Sequence, residues 1–241
     1  MTKKIASIVS IVIVILFMGF GLANGQIKDR SSSYSYAGGG YTLVFFTNGD
    51  VNDTYPVFNL SQSSFLSEIN VFYGMRLSSS VAVEFSPSFI FTTSESNDGF
   101  YFTNQSGERS FYYPNQAKMF ALPVNLNVKF YPFAGNPLLP TSNIYFGGGA
   151  GMMYIDEEFD NLLYTDSTLT QFKRFEKTTN SQWTPNFSLF VGFGSSAKFG
   201  YGFELGYRFV PLDGDATKPQ TTSIANNMNS VNLSAKVMIS F

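Results

Sequence analysis

The last eleven residues, 231–241, constrain this chain most. Val231, Leu233, Ala235, Val237, Ile239 and Phe241 are apolar. Asn232, Ser234, Lys236 and Ser240 between them are polar, with Met238 the one neutral exception. A side-chain period of two marks a strand with one oily face and one wet face. Its length suits a tilted strand crossing a bilayer, which takes about 9–11 residues. Such a strand cannot stand alone in lipid, because its edges would expose unpaired backbone groups. It requires a closed barrel, and the rest of the chain has to supply the other staves.

Seven further segments carry strand character: 36–46, 65–77, 81–91, 119–133, 143–155, 183–194 and 199–210. With 230–241 they make eight, an even number that suits the smallest membrane barrels. The connections alternate in length. Short turns at 78–80, 134–142 and 195–198 face long loops at 47–64, 92–118, 156–182 and 211–229. Bacterial barrels show this asymmetry, with the long loops outside the cell and both chain ends on the other side. The expected fold is all-β, an eight-stranded antiparallel up-and-down transmembrane barrel.

The charges sharpen this reading. Glu68 and Arg76 oppose the apolar face of Ile69, Val71, Tyr73, Met75 and Leu77. Glu84, Lys129, Glu204, Arg208 and Lys236 likewise fall opposite the apolar faces of their own segments. A lipid-facing Arg or Lys at the midplane would cost about 2–4 kcal/mol, and no charge within these spans sits there. All seven should project into a lumen narrow enough for side chains to fill. Three carboxylates and four cations can pair there. The result is either a salt-bridged plug that fixes the barrel or a gated ion path lined by charge.

Some residues fit less well. Pro87, Pro123 and Pro185 fall within proposed strands and cannot donate ladder hydrogen bonds. Pro87 in particular implies a bulge or an early exit of the third strand. Tyr131, Phe133, Tyr154, Trp183, Phe199, Phe209 and Phe241 fall near strand ends, where aromatic girdles meet headgroups. Period two does not say which face is inside, so a soluble exported barrel with the apolar face inward is the rival architecture. The loop asymmetry and the aromatic content, 27 Phe and 14 Tyr, favour the lipid-facing arrangement.

The N-terminus reads as a signal peptide, residues 1–25. Lys3 and Lys4 precede an apolar run, and Ala23 and Gly25 offer the small residues that a signal peptidase reads. An uncleaved anchor is the alternative. The remaining 26–241 form the barrel domain, with 13 basic against 17 acidic residues, which argues against nucleic acid as a partner. Mean hydropathy is +0.01, too low for a helical membrane bundle and suited to alternating strands. There is no cysteine and no histidine. Thiol chemistry is therefore impossible, and the usual general base has no candidate. No cofactor and no enzymatic activity are expected.

Two loops carry further signals. Loop 156–182 holds Asp156, Glu157, Glu158, Asp160 and Asp166, then Lys173, Arg174, Glu176 and Lys177. This is a solvated charged loop or, less simply, a cation site whose spacing matches no calcium motif. Loop 92–118 is aromatic, with Phe100, Tyr101, Phe102, Phe111, Tyr112 and Tyr113, and either extends the strands or presents a binding surface. The glycine run 147–151 lacks the Lys-Ser/Thr ending of a phosphate loop and suits close packing on a strand.

Several segments together resemble the small outer-membrane β-barrel proteins of the OmpA/OmpX type. They are residues 122–132, the glycine-rich 145–151, then 203–209 and the terminal strand. The resemblance covers 36–241, the barrel domain alone, without a peptidoglycan-binding domain. It implies an outer-membrane location, contact with outer-membrane lipid and lipopolysaccharide, and no catalysis. It also implies that Phe241 acts as an assembly signal for the barrel-assembly machinery. The implied role is structural and surface-interacting, through the long extracellular loops and an extracellular ligand or surface. A small low-conductance porin-like channel is the alternative.

Overall fold

The computed structural model describes residues 34–55, 58–60, 63–94, 100–103, 108–134, 140–195, 198–213, 223 and 225–241. The signal peptide expected over residues 1–25 lies outside these residues. Eight strands close the barrel: β1 (Tyr34–Phe46), β3 (Ser63–Arg76), β4 (Val81–Ser94), β6 (Arg109–Phe130), β7 (Ile144–Tyr164), β8 (Phe172–Gly194), β9 (Phe199–Phe209) and β10 (Ser230–Ser240). Each pairs antiparallel with its neighbour in sequence. Closure comes from β1, which pairs with β3 on one edge (Tyr36 opposite Gly74) and with β10 on the other (Tyr36 opposite Ser240). Two short strands, β2 (Phe58–Leu60) on β3 and β5 (Phe100–Thr103) on β6, and a six-residue helix, α1 (Gly49–Thr54), belong to the long connections.

Burial decides which face is inside. Along β3, Glu68, Asn70 and Arg76 are buried, whereas Ile69 and Val71 are each 49% exposed and Tyr73 46%. The same inversion repeats on the other staves. Leu126, Val128, Leu189, Leu205, Leu233 and Val237 face out, while Lys129, Glu204, Ser234 and Lys236 face in. A soluble barrel would have the opposite arrangement, so the rival architecture fails. An apolar belt continuous around the outer wall calls for lipid.

The structure corrects the long loops. β6, β7 and β8 run 22, 21 and 23 residues, about twice what a bilayer crossing needs. Loops 92–118 and 156–182 are therefore largely strand. At about 3.3 Å per residue and the usual tilt, β7 and β8 rise about 30 Å beyond Trp183 as a continuously paired ribbon. The side chains of Phe100, Tyr101, Phe102 and Tyr112 lie outside the described residues.

Proline also behaves differently from expectation. β4 keeps one register against β3 and β6 through Pro87, and the pairing lapses only locally beside it. The register against β7 shifts instead at Pro114/Gln116. Tyr131 is no girdle residue. It is buried, whereas Phe133, Trp183, Phe199, Phe209 and Phe241 do face outward. Leu126→Arg should cost about 2–4 kcal/mol in urea unfolding from bilayers. Thr179→Arg, on the ribbon above the belt, should change stability by less than about 0.5 kcal/mol.

Candidate functional site

Within the barrel the inward side chains form three layers. The lowest, at the short-turn end, is aromatic: Tyr36, Phe72, Tyr131 and Tyr145 with Ala82 and Ala134. Glycines make room for the rings. A Cβ on Gly192 would fall within 2.6 Å of the Tyr145 ring, and one on Gly74 would collide with Tyr36. Gly147 is likewise covered by the Phe190 ring, so the glycine run serves close packing.

Immediately above lies a ring of four charges. Lys129 Nζ reaches Glu84 at 2.6 Å and Glu204 at 3.0 Å. Lys236 Nζ reaches Glu84 at 3.1 Å and Glu204 at 2.7 Å. Cation and anion alternate, so each carboxylate is shared between two ammonium groups. Tyr145 donates to Glu204 at 2.8 Å and Tyr36 to Glu84 at 3.3 Å, which ties the ring to the aromatic layer. Lys129 also stands 4.9 Å from the Tyr145 ring, and Lys236 5.1 Å from that of Phe72.

A second ion pair sits higher. Arg208 makes a two-pronged contact with Glu68, Nη1 to Oε2 at 2.9 Å and Nη2 to Oε1 at 2.8 Å. Arg76 is also buried, but it does not join the carboxylates. Its guanidinium donates to the carbonyls of Ser78 and Ser79 and lies 3.8 Å over the Tyr131 ring. It therefore fixes the β3–β4 turn. The other six of the seven charges read from the sequence, Glu68, Glu84, Glu204, Lys129, Arg208 and Lys236, balance.

Between the ring and the top layer is a polar cavity of about 60 Å³, with Asn70, Ser86, Asn127, Ser188, Arg208 and Asn232 among its walls. The side-chain oxygens of Asn70, Asn125, Asn127 and Asn232, and Nε of Arg208, find no hydrogen-bond partner among the described residues. A buried polar atom left so costs about 1–3 kcal/mol. The cavity has room for a few water-sized molecules that could satisfy them.

The top layer is apolar. Val44, Phe46, Leu66, Ile90, Met119, Ala121, Met153, Ile155 and Val210 point inward from the strands. Val51 and Tyr55 from the 47–64 connection, and Ala225 and Met228 from the 211–229 connection, pack among them. Tyr55 donates to Glu157 at 2.6 Å, and Asn180 donates to the other oxygen at 3.4 Å. Burial and the adjacent carboxylate hold the Tyr55 hydroxyl pKa well above its usual value, so it remains a donor.

Strand parity dissolves the acidic cluster. On β7, Glu157 points into the mouth, while Asp156 and Glu158 point outward. Asp156 accepts from Ser181, and Glu158 is held by Lys177 at 2.8 Å and Lys118 at 3.2 Å. No group of carboxylates among the described residues converges on a metal position. Hydrogen bonds from Lys177 and Lys118 hold the Glu158 carboxyl below the ordinary range. A lowered folded value means that this triad persists above the ordinary glutamate pKa and is lost as pH falls through the lowered one. Carboxyl-carbon NMR should show Glu158 titrating below about 4.3, and Lys177→Met should move it back up.

The aromatic layer, the hydroxyls that brace the ring, and the top layer escaped sequence reasoning, because which ring covers which glycine depends on pairing register. Alternation reveals which way a side chain points but not its depth along the barrel. Breaking the upper ion pair has a clear expectation. Arg208→Ala leaves Glu68 buried without its partner and should cost about 3–5 kcal/mol in lipid-based unfolding. Replacing both, as Glu68→Gln with Arg208→Met, should recover most of that loss.

No family model matches the chain, and no curated protein sequence does. Solved structures similar to it include Neisserial surface protein A at 11% identity and TM-score 0.43, over 89% of this chain and 100% of that one. Another is Ail, the attachment invasion locus protein of Yersinia pestis, at 11% identity and TM-score 0.44, over 88% and 100%. A third is the outer membrane protein OprG from Pseudomonas aeruginosa, at 12% and 0.41, over 90% and 99%. The chain itself is a closed eight-stranded antiparallel β-barrel, an architecture that stands on its own strand pairings.

Proposed function

We propose that this is an outer-membrane barrel protein with a structural and surface-interacting role and no catalysis. The observation that carries the reading is the inversion of burial: a belt of exposed Leu, Val, Ile and Phe around ion-paired, polar contents. That arrangement is stable only with lipid outside. The barrel then becomes a mount for the β6–β7–β8 ribbon, whose exposed Leu169, Phe172 and Phe175 stand clear of the belt. A hydrogen-bonded ribbon presents a surface with less ordering cost on binding than an unpaired loop would.

The lumen argues against the porin-like alternative. An aromatic layer braced by four ion contacts lies below the cavity and an apolar layer lies above it, so the polar section does not run from end to end. The absence of histidine removes the usual general base, which supports the non-catalytic reading. Phe241 lies outward beside Tyr73, with its backbone paired to Ser35, where assembly factors handling the last strand would meet it.

Outer membranes from expressing cells should contain a band that migrates differently before and after boiling. Shortening the ribbon by joining Asp156 to Ser181 through a two-residue turn should preserve that shift while abolishing binding of the cells to surfaces that the intact protein recognises. Loss of the shift on shortening would show that the ribbon serves the fold. Retention of binding would move the interaction elsewhere. Planar bilayers containing the protein should show no steady channel steps.

A further inference from the structure

The two layers that bracket the cavity are built differently. Every aromatic side chain of the lower one except Tyr131 sits on a barrel strand, and Tyr131 directly follows β6. The charge ring above it is also carried on strands β4, β6, β9 and β10. These groups cannot withdraw without opening the barrel ladder. The upper layer is mixed: its rim of Val44, Leu66, Ile90, Met119 and Ile155 stands on the strands, but its centre is filled from loops. Val51 and Tyr55 come from α1 and its end, and Ala225 and Met228 come from the connection before β10. α1 is a short helix of six residues, capped by Asn48, whose side chain accepts from the Asp50 N–H. Its polar contacts include the bond from Tyr55 to Glu157 on the barrel wall, Asn52 donating to the Phe46 carbonyl, and Asn48 donating to Asn226 and to the Asn227 carbonyl. A loop-borne plug can lift while the ladder stays paired.

The cavity's contents follow from its walls. Glu68 is matched by Arg208, and Glu84 and Glu204 by Lys129 and Lys236, so the site carries no charge to offer an ion. Its unpartnered atoms are four amide oxygens and one N–H, which ask for small molecules that chiefly donate hydrogen bonds. We propose that the barrel centre is a binding chamber for water and small neutral hydrogen-bonding solutes, entered from the extracellular side only, with α1 and Tyr55 as its lid. This rests on the membrane-barrel reading but does not follow from it.

The chain has no cysteine, so one introduced thiol reports alone. Ser188→Cys places it in the chamber wall with little change of shape, and Ser86→Cys is a second reporter. The purified barrel is reconstituted in lipid, its heat-dependent migration is verified, and labelling by methyl methanethiosulfonate is timed. Tyr55→Phe keeps the ring and removes the bond to Glu157, and should speed labelling roughly tenfold, the scale of one hydrogen bond to a charged acceptor. Met228→Ala, which trims the lid's neighbour, should act in the same direction. Tyr145→Phe removes the matching hydroxyl bond in the lower layer and should leave the rate unchanged. Acceleration by Tyr145→Phe, or equal rates with and without the lid variants, would overturn the proposal. So would no labelling of any folded variant while the unfolded chain labels fully. Loss of heat-dependent migration in the parent protein would instead sink the barrel reading.

Discussion

Everything in this molecule depends on the backbone hydrogen bonds that join β1 to both β3 and β10. A strand in hydrocarbon has no water to satisfy its edge, and each unsatisfied group there costs several kcal/mol. Closure removes the edges. Once the sheet is closed, period two sorts every side chain to lipid or lumen, and no position is neutral. The outer wall becomes Leu, Val, Ile and Phe because lipid is its solvent. The inner wall is then free to carry polar groups, provided that they satisfy one another.

An eight-stranded lumen is too narrow for bulk water, so its charges cannot rely on solvation. That explains why Glu84 and Glu204 each lie against both Lys129 and Lys236, and why Arg208 grips Glu68 with two nitrogens. It also explains the glycines opposite large rings. Tyr36, Tyr145 and Phe190 need more room than the pleat allows, and Gly74, Gly192 and Gly147 supply it. The same strands that make the barrel continue past the belt, so the ribbon above it is a direct extension of the barrel wall.

The stave positions were legible because the alternation in 65–77, 119–133, 199–210 and 230–241 is strong, and because every charge respected it. The glycine-rich β1 is legible almost whole and β7 only in its lower part, 143–155, both with weaker alternation. The upper reaches of β6, β7 and β8 were not legible. Above the belt both faces meet water or loop, so the oily-and-wet contrast disappears, and Thr178 to Gln182 reads as a polar loop although it is strand. Arg76 was grouped with the carboxylates by face alone. Its height on β3, at the turn, puts Ser78, Ser79 and Tyr131 within reach instead. Pro87 by itself implies a bulge or an early exit of its strand, yet neighbouring ladder bonds hold its register. The acidic run 156–160 looked like a cluster in one dimension, and strand geometry turns alternate members to opposite faces.

The central claim is that the apolar face is the outer face and meets lipid. The chain has one tryptophan, Trp183, which is 58% exposed on the outward side of β8 and 5.3 Å from the ring of Tyr154. Its fluorescence in bilayers containing brominated lipid is therefore the most direct measurement. Strong quenching, by bromines placed near the headgroup end of the chains, is the expected result. Emission unaffected by brominated lipid, from protein that remains in the soluble fraction, would contradict the account.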